Sequence, residues 1–355
     1  PGSNPKDKVF FECAKGVKFK HSKLAAFGAT RLARNTAEND PSVNALIAAE
    51  TPVVVVFGKS WDFHVTRALG ITLEQNLELI SDTVRYLKAH GKEVVYDAEH
   101  FFDGYKANPE FALKTLEAAK SAGADTLTLC DTNGGMMTGA LAEVCRLVRS
   151  RFEGILGIHT HNDSDVAVAN SLAAIGEGFT HVQGCLNGYG ERCGNANLAS
   201  VIANLELKLG HTTIGTERLG TLTSTARYIA GLANLPLPGG QPYVGRSAFA
   251  HKGGVHVSAV MKDSATYEHI QPGIVGNAQR VLVSDLSGRG NVLYKMRELG
   301  LEDKMGEPER KVLLSVLAGD LEALNDSFEG LKGRVDKLVP CICKVCRQTT
   351  EPEMY

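Results

Sequence analysis

One grammar, repeated from residue 23 to residue 210, constrains this chain more than any other feature: a short apolar run, a polar or glycine-rich loop, an amphipathic helix, a glycine, then the next apolar run. That repeat is the mark of βα units. The apolar runs fall at 23–27, 53–57, 93–97, 126–130, 155–159 and 181–185, near the spacing of about 30 residues that one βαβ unit takes. Helix punctuation supports the repeat. Thr72 and Gln75 form a capping box ahead of Leu73, Leu77, Ile80, Val84 and Leu87, and Gly91 stops the run. Asn108 is placed to cap a second helix, Pro109 sits where no N–H is missed, Phe111, Leu113, Leu116 and Ala119 give it a buried side, and Gly123 ends it.

Six strands are visible, whereas a (β/α)8 barrel closes with eight. Either the sheet is open and doubly wound, or its first two strands lie upstream of Pro1. No GxGxxG follows the first strand, which weakens the dinucleotide-binding alternative. The chain opens on PGSNPKD without a Met, so an N-terminus lying upstream is expected. Both sheet readings stay open on spacing alone; in either, the βα unit is expected over residues 1–210, followed by a helical linker over 211–246 with residues 216–233 helical, a segment over 247–310 dense in His, Gly and polar residues, and a tail over 311–355, helical and then irregular. Residues 296–330 read as helical.

Composition narrows the functional classes. Lys and Arg number 38 against 40 Asp and Glu, a net charge of -2; with no basic field, nucleic acid is not an expected partner. No apolar run approaches the roughly 18 residues that span a bilayer, so no membrane segment is expected. The eight Cys do not form a disulfide framework, and a reducing, cytoplasmic location follows. Cys341, Cys343 and Cys346 make a CxCxxC that supplies only three ligands and has no function we can assign.

Active sites of parallel β/α folds lie at the carboxyl ends of the strands. The segments there are GATR (28–31), GKSWDFH (58–64), DAEHFFDGY (97–105), DTNGG (131–135), HTHND (159–163) and NGYGERCGN (187–195). In HTHND, side-chain alternation turns His159 and His161 to one face and Thr160 to the other, so the two imidazoles can grip one cation. The plain alternative is a pair of loop histidines held by hydrogen bonds. Asn195 can add an oxygen, and such a set suits Mg, Mn or Zn with open positions. A carboxylate ligand is expected as well, and none is obvious. Glu99 reads either as a carboxylate that orients a ligand or moves a proton, or as a surface Glu near a helix start. Thr132 and Asn133 can donate to a substrate carboxylate or, equally, cap a helix. FAHKGGVH (249–256), with His251 and His256, together with Tyr267 and the SGR of 287–289, reads as a lid carrying a proton donor or as a polar surface excursion.

HTHND, NGYGERCGNANL, FAHKGGVH, YEHIQP and SGR together resemble the metal-dependent acyl-CoA-condensing aldolase family (DRE-TIM metallolyases) that includes 2-isopropylmalate synthase, homocitrate synthase and, more distantly, 3-hydroxy-3-methylglutaryl-CoA lyase. The match runs from PGSNPKD to about Leu301. The resemblance implies an α/β fold, a TIM barrel N-terminally truncated over residues 1–210 so that strands 3 to 8 are present, a small α+β and helical lid over 247–310, and a divalent cation held by His159 and His161 with Asn195 close by. In the family an Asp from an R-D-G motif completes the ligand set, and that motif is not present in this sequence. The implied reaction is a Claisen condensation of acetyl-CoA with a 2-keto acid, then thioester hydrolysis, in branched-chain amino-acid biosynthesis. Pyruvate is the expected keto acid and 2-ketoisovalerate the alternative, with a non-catalytic truncated barrel as the reading of a different class. By matched position Glu99 helps place acetyl-CoA or move protons, Thr132 contacts the keto acid, and His256 and Tyr267 serve proton transfer or water activation. A homodimer is implied by resemblance alone. A lyase fits less well: its Cys-Pro loop has no match, since Leu186 follows Cys185.

Overall fold

The computed structural model describes residues 1–2, 4–282, 289–298, 300 and 306. The CxCxxC motif, the 311–355 tail, most of the expected 296–330 helix and Ser287 and Gly288 of the SGR motif lie outside the described residues. The chain packs as two compact units, divided between Val201 and Ile202.

Six strands, Ala25–Ala29 (β1), Val53–Lys59 (β2), Glu93–Glu99 (β3), Thr126–Asp131 (β4), Ile155–Thr160 (β5) and His181–Gln183 (β6), form one parallel sheet in sequence order. In register Val53 faces Glu93, Val95 faces Thr126, Thr126 faces Ile155 and Gly157 faces His181. Successive parallel neighbours joined through helices are the six consecutive strands of a TIM barrel.

Alternation along each strand sorts the residues onto two faces. Ala26, Val54, Val56, Val94, Tyr96, Leu127, Leu129, Leu156 and Ile158 are buried in the core, against helices such as Leu73–Ala89 and Pro109–Ser121. Burying such side chains contributes about 1.5–3 kcal/mol each. The other face, the interior of a closed barrel, carries Lys59, Asp97, Glu99, Thr128, His159, Gly157 and Gln183. Gly157 is required there: a Cβ would stand 2.7 Å from Thr128 Oγ1 and 2.8 Å from the His181 ring.

Both helix starts take their expected form. Thr72 and Gln75 close the capping box, and Asn108 Oδ1 accepts from the Phe111 N–H at 3.1 Å. Three expectations change. The first strand runs Ala25–Ala29 rather than 23–27, because its register is set by Ala25 against Val53 while Lys23 reaches out to pair with Glu93. The sixth stops at Gln183: Gly184 lies against the Ala196 carbonyl, which a Cβ would meet at 2.5 Å, and Cys185 bridges instead to Asn197. Residues 216–233 form two helices, Thr216–Leu219 and Leu222–Ala233, parted at Gly220 and Thr221, as glycine's poor helix propensity favours.

In the second unit, Ala250–His251 (β7) pairs in parallel with Arg280–Val281 (β8), and helices Gly254–Val260 and Arg289–Glu298 follow these strands. No helix among the described residues is long and apolar enough to cross a membrane.

Candidate active site

The end of β5 and the loop after β6 build the polar centre. His159 Nε2 and His161 Nε2 stand 3.3 Å apart. Thr160, turned to the other face, is buried and donates to the Ala167 carbonyl at 3.0 Å. The loop folds back so that His161 bridges to Asn195 in antiparallel fashion. Asn195 Nδ2 donates to the Tyr189 carbonyl at 2.8 Å, which leaves its Oδ1 buried with no hydrogen-bond partner. Glycine makes this fold-back possible. Gly194 has φ +88° and a Cβ there would lie 2.0 Å from the Gly188 carbonyl oxygen.

Burial lowers the pKa of His159, opposed by its contacts with Gln183 and Asn195. Burial, with His159 and Arg192 adding to it, pushes His161 down to about 4. Both imidazoles are therefore neutral at pH 7 and have lone pairs to offer. Two nitrogens each about 2.1 Å from one cation lie about 3.0 Å apart at a right angle and about 3.4 Å apart at a tetrahedral one, which brackets the 3.3 Å found. The unpartnered Asn195 oxygen supplies a third donor of the right kind. Among the described residues no group of three His, Cys, Asp or Glu side chains is arranged to hold a metal, so the donor set present is two imidazoles and an amide oxygen.

Behind His159 lies a chain of contacts that sequence reasoning missed. His159 Nδ1 is 2.9 Å from Gln183 Oε1, and Gln183 Nε2 donates to Asp97 Oδ1 at 2.7 Å. Asp97 is only 3% exposed. Burial pushes its carboxyl up to about 7, against the opposing hydrogen bonds of Gln183 and Thr128. A carboxylate at the end of the apolar run EVVYD was the available signal.

Glu99 is half-buried at the end of β3 and pairs with Lys59 from the neighbouring β2, so it is not a free surface carboxylate. Thr132 Oγ1 accepts from the His100 N–H at 2.8 Å, and Asn133 Nδ2 donates to Asp103 at 3.0 Å. Neither caps a helix: the next one runs Thr138–Arg151 with Met137 at its N-cap. Arg192 ties the loops together, reaching Asp163 at 2.8 Å and the Thr132 carbonyl at 2.7 Å. In the second unit the His256 and Tyr267 rings lie with centroids 4.2 Å apart and planes tilted by 31°, and both residues are exposed. His251 Nε2 meets the buried Glu268 at 3.0 Å.

Known proteins share much of this chain. The HMGL-like family model matches residues 21–226, and a Homocitrate synthase post-HMGL domain-like model matches residues 243–314. (R)-citramalate synthase of Aquifex aeolicus is 53% identical over 340 residues, 96% of this chain, and the chain spans 64% of that relative's length. A probable 2-isopropylmalate synthase of Ignicoccus hospitalis is 33% identical over 311 residues, 87% of this chain and 75% of the relative. Among solved structures, the HMG-CoA lyase of Bacillus subtilis superposes with a TM-score of 0.54 at 21% identity, over 64% of this chain and 76% of that one. That last likeness concerns the fold.

Proposed function

Because the chain belongs to the HMGL-like family, we propose that it is an acyltransferase that condenses the methyl carbon of acetyl-CoA with the keto carbon of pyruvate and hydrolyses the thioester, giving citramalate and free CoA. The observation that carries this reading is the pair of imidazoles 3.3 Å apart beside an unpartnered amide oxygen. Pyruvate is preferred over 2-ketoisovalerate because identity to (R)-citramalate synthase, at 53%, exceeds the 33% to 2-isopropylmalate synthase. The product belongs to branched-chain amino-acid biosynthesis, toward isoleucine.

His159, His161 and Asn195 would hold a divalent cation, Mg, Mn or Zn. When bound, the cation polarises the keto group and absorbs the charge that develops on its oxygen. Thr132, whose hydroxyl oxygen already accepts from His100, keeps its own proton to donate to the keto acid. Asn133 sits beside it and would help orient the same carboxylate. Glu99, held in place by Lys59, would orient acetyl-CoA or move a proton at its methyl group. His256 and Tyr267, whose rings lie against one another, would serve proton transfer or activate the water that cleaves the thioester. Residues 247–310 would act as the lid, and a homodimer is the proposed assembly.

The test is CoA release by the protein expressed from its complete reading frame, supplied with acetyl-CoA and either pyruvate or 2-ketoisovalerate, with and without chelator. Chelator-sensitive release that favours pyruvate is expected. Release favouring 2-ketoisovalerate would transfer the assignment to the isopropylmalate reaction, and no release with any keto acid would overturn the synthase reading.

A further inference from the structure

A histidine ligates a cation through a nitrogen that carries no proton, so whatever occupies its other nitrogen decides whether it can ligate at all. For His159 that occupant is Gln183. An amide group has two ends, and which end faces the imidazole settles the matter. If Oε1 faces Nδ1, then Nδ1 must carry the proton and Nε2 keeps its lone pair. If the amide turned over, its N–H would donate to Nδ1, and the proton would move to Nε2, directly between His159 and His161.

Asp97 fixes the choice. Gln183 Nε2 lies 2.7 Å from Asp97 Oδ1 and 3.4 Å from Thr128 Oγ1. Above about pH 7, where Asp97 is ionised, turning the amide over would set its oxygen against a carboxylate oxygen at that distance. The residues come from three strands, Asp97 on β3, Thr128 on β4 and Gln183 on β6, and they meet because they share one face and adjoining registers: Asp97 faces Thr128, Thr128 faces Gly157, and His159 faces Gln183. Gly157, between them on β5, has no side chain, and a Cβ there would press on Thr128 Oγ1 at 2.7 Å.

We propose that Gln183, oriented by the buried Asp97, is a positioning residue that holds His159 in the tautomer protonated on Nδ1, so that Nε2 faces His161 with its lone pair free for a cation. This rests on the metal role proposed above, but the tautomer itself is a property of the protein without metal. The two can therefore fail separately.

The experiment is a long-range proton–nitrogen NMR spectrum of the protein labelled with 15N at histidine, paired with Mn(II) and Zn(II) affinities measured by competition with a chromophoric chelator. In the native sequence at pH 8, with Asp97 ionised, the His159 signal should show Nδ1 protonated and Nε2 bare. Gln183→Met, similar in shape and without an acceptor, should release the tautomer to a mixture and weaken cation binding about 10- to 100-fold, the usual cost of losing such a partner. The exchanged pair Gln183→Glu with Asp97→Asn reverses donor and acceptor between the two positions while keeping an acceptor for Nδ1, so it should restore both the tautomer and most of the affinity. That rescue also separates positioning from a simple loss of folding. Native tautomer and native affinity in Gln183→Met would overturn the proposal, as would failure of the exchanged pair to recover either readout while folded. If the native protein bound neither cation, the metal role would fall, and the tautomer shift in Gln183→Met would still decide what Gln183 does.

Discussion

Asp97→Asn should make the protein more stable at neutral pH, although it removes a hydrogen-bonded carboxyl from the interior face of the sheet. Asp97 is almost wholly buried, and burial raises its pKa from 3.8 to about 7. The folded protein therefore keeps a proton on this group between about pH 4 and pH 7 that the unfolded chain has already released. Stability falls with rising pH wherever the folded state binds more protons. The slope is about 1.4 kcal/mol per pH unit for one group, so the whole window corresponds to a loss on the order of 4 kcal/mol, complete above pH 7. The amide in the variant has no proton to lose, and its oxygen can still accept from Gln183. The protein has a single tryptophan, Trp61, in the loop after β2, so its fluorescence during urea unfolding reports on the barrel unit. Measured from pH 4.5 to 8, the stability of the variant relative to the native protein should climb through pH 7 and then level off. A difference that stays flat, or that shrinks as pH rises, would refute the argument that Asp97 is buried without adequate compensation.

Other outcomes follow from single contacts. Gly157→Ala should lower the melting temperature, by an amount corresponding to about 1–3 kcal/mol, because its Cβ would fall 2.7 Å from Thr128 Oγ1; an unchanged melting temperature would mean that β4 and β6 can part freely. Asn195→Ala should weaken cation affinity and loosen the 187–195 loop through loss of the 2.8 Å bond to the Tyr189 carbonyl, visible as faster hydrogen exchange in that loop. Thr72→Ala should cost about 1 kcal/mol through the lost cap and leave cation affinity unchanged, since its partner Gln75 is three residues away on the same helix.

Much of the barrel unit was legible because its signals are local. Apolar runs, the Thr72–Gln75 box and the Asn108–Pro109 start each depend on residues within one turn or one strand. The histidine pair was legible for the same reason, since two residues apart on a strand means one face. The partners were not. Asp97 and Gln183 are 86 residues apart in sequence, and nothing local to either one announces the other. Lys59 and Glu99 meet only because β2 and β3 pair in a particular register. Gln183 lies in the middle of the expected 181–185 run and carries no local signal of a role. Its meaning appeared only when His159 was found opposite it. The break at Gly220 escaped because the periodicity of 216–233 continues across it, whereas the backbone does not.

The central claim, that the protein joins the methyl carbon of acetyl-CoA to the keto carbon of pyruvate at a cation site made by His159, His161 and Asn195, is tested most directly by watching that bond form. The protein from its complete reading frame is incubated with acetyl-CoA labelled with 13C at the methyl carbon and pyruvate labelled at the keto carbon, with Mg(II) or Mn(II) present and then removed by quenching with chelator before the spectrum is taken. The expected result is a new product whose two labelled carbons are coupled through one bond, absent when chelator is added at the start and absent in a His159→Ala, His161→Ala variant. Labelled acetate without that coupling, or a coupled product that survives both controls, would contradict it.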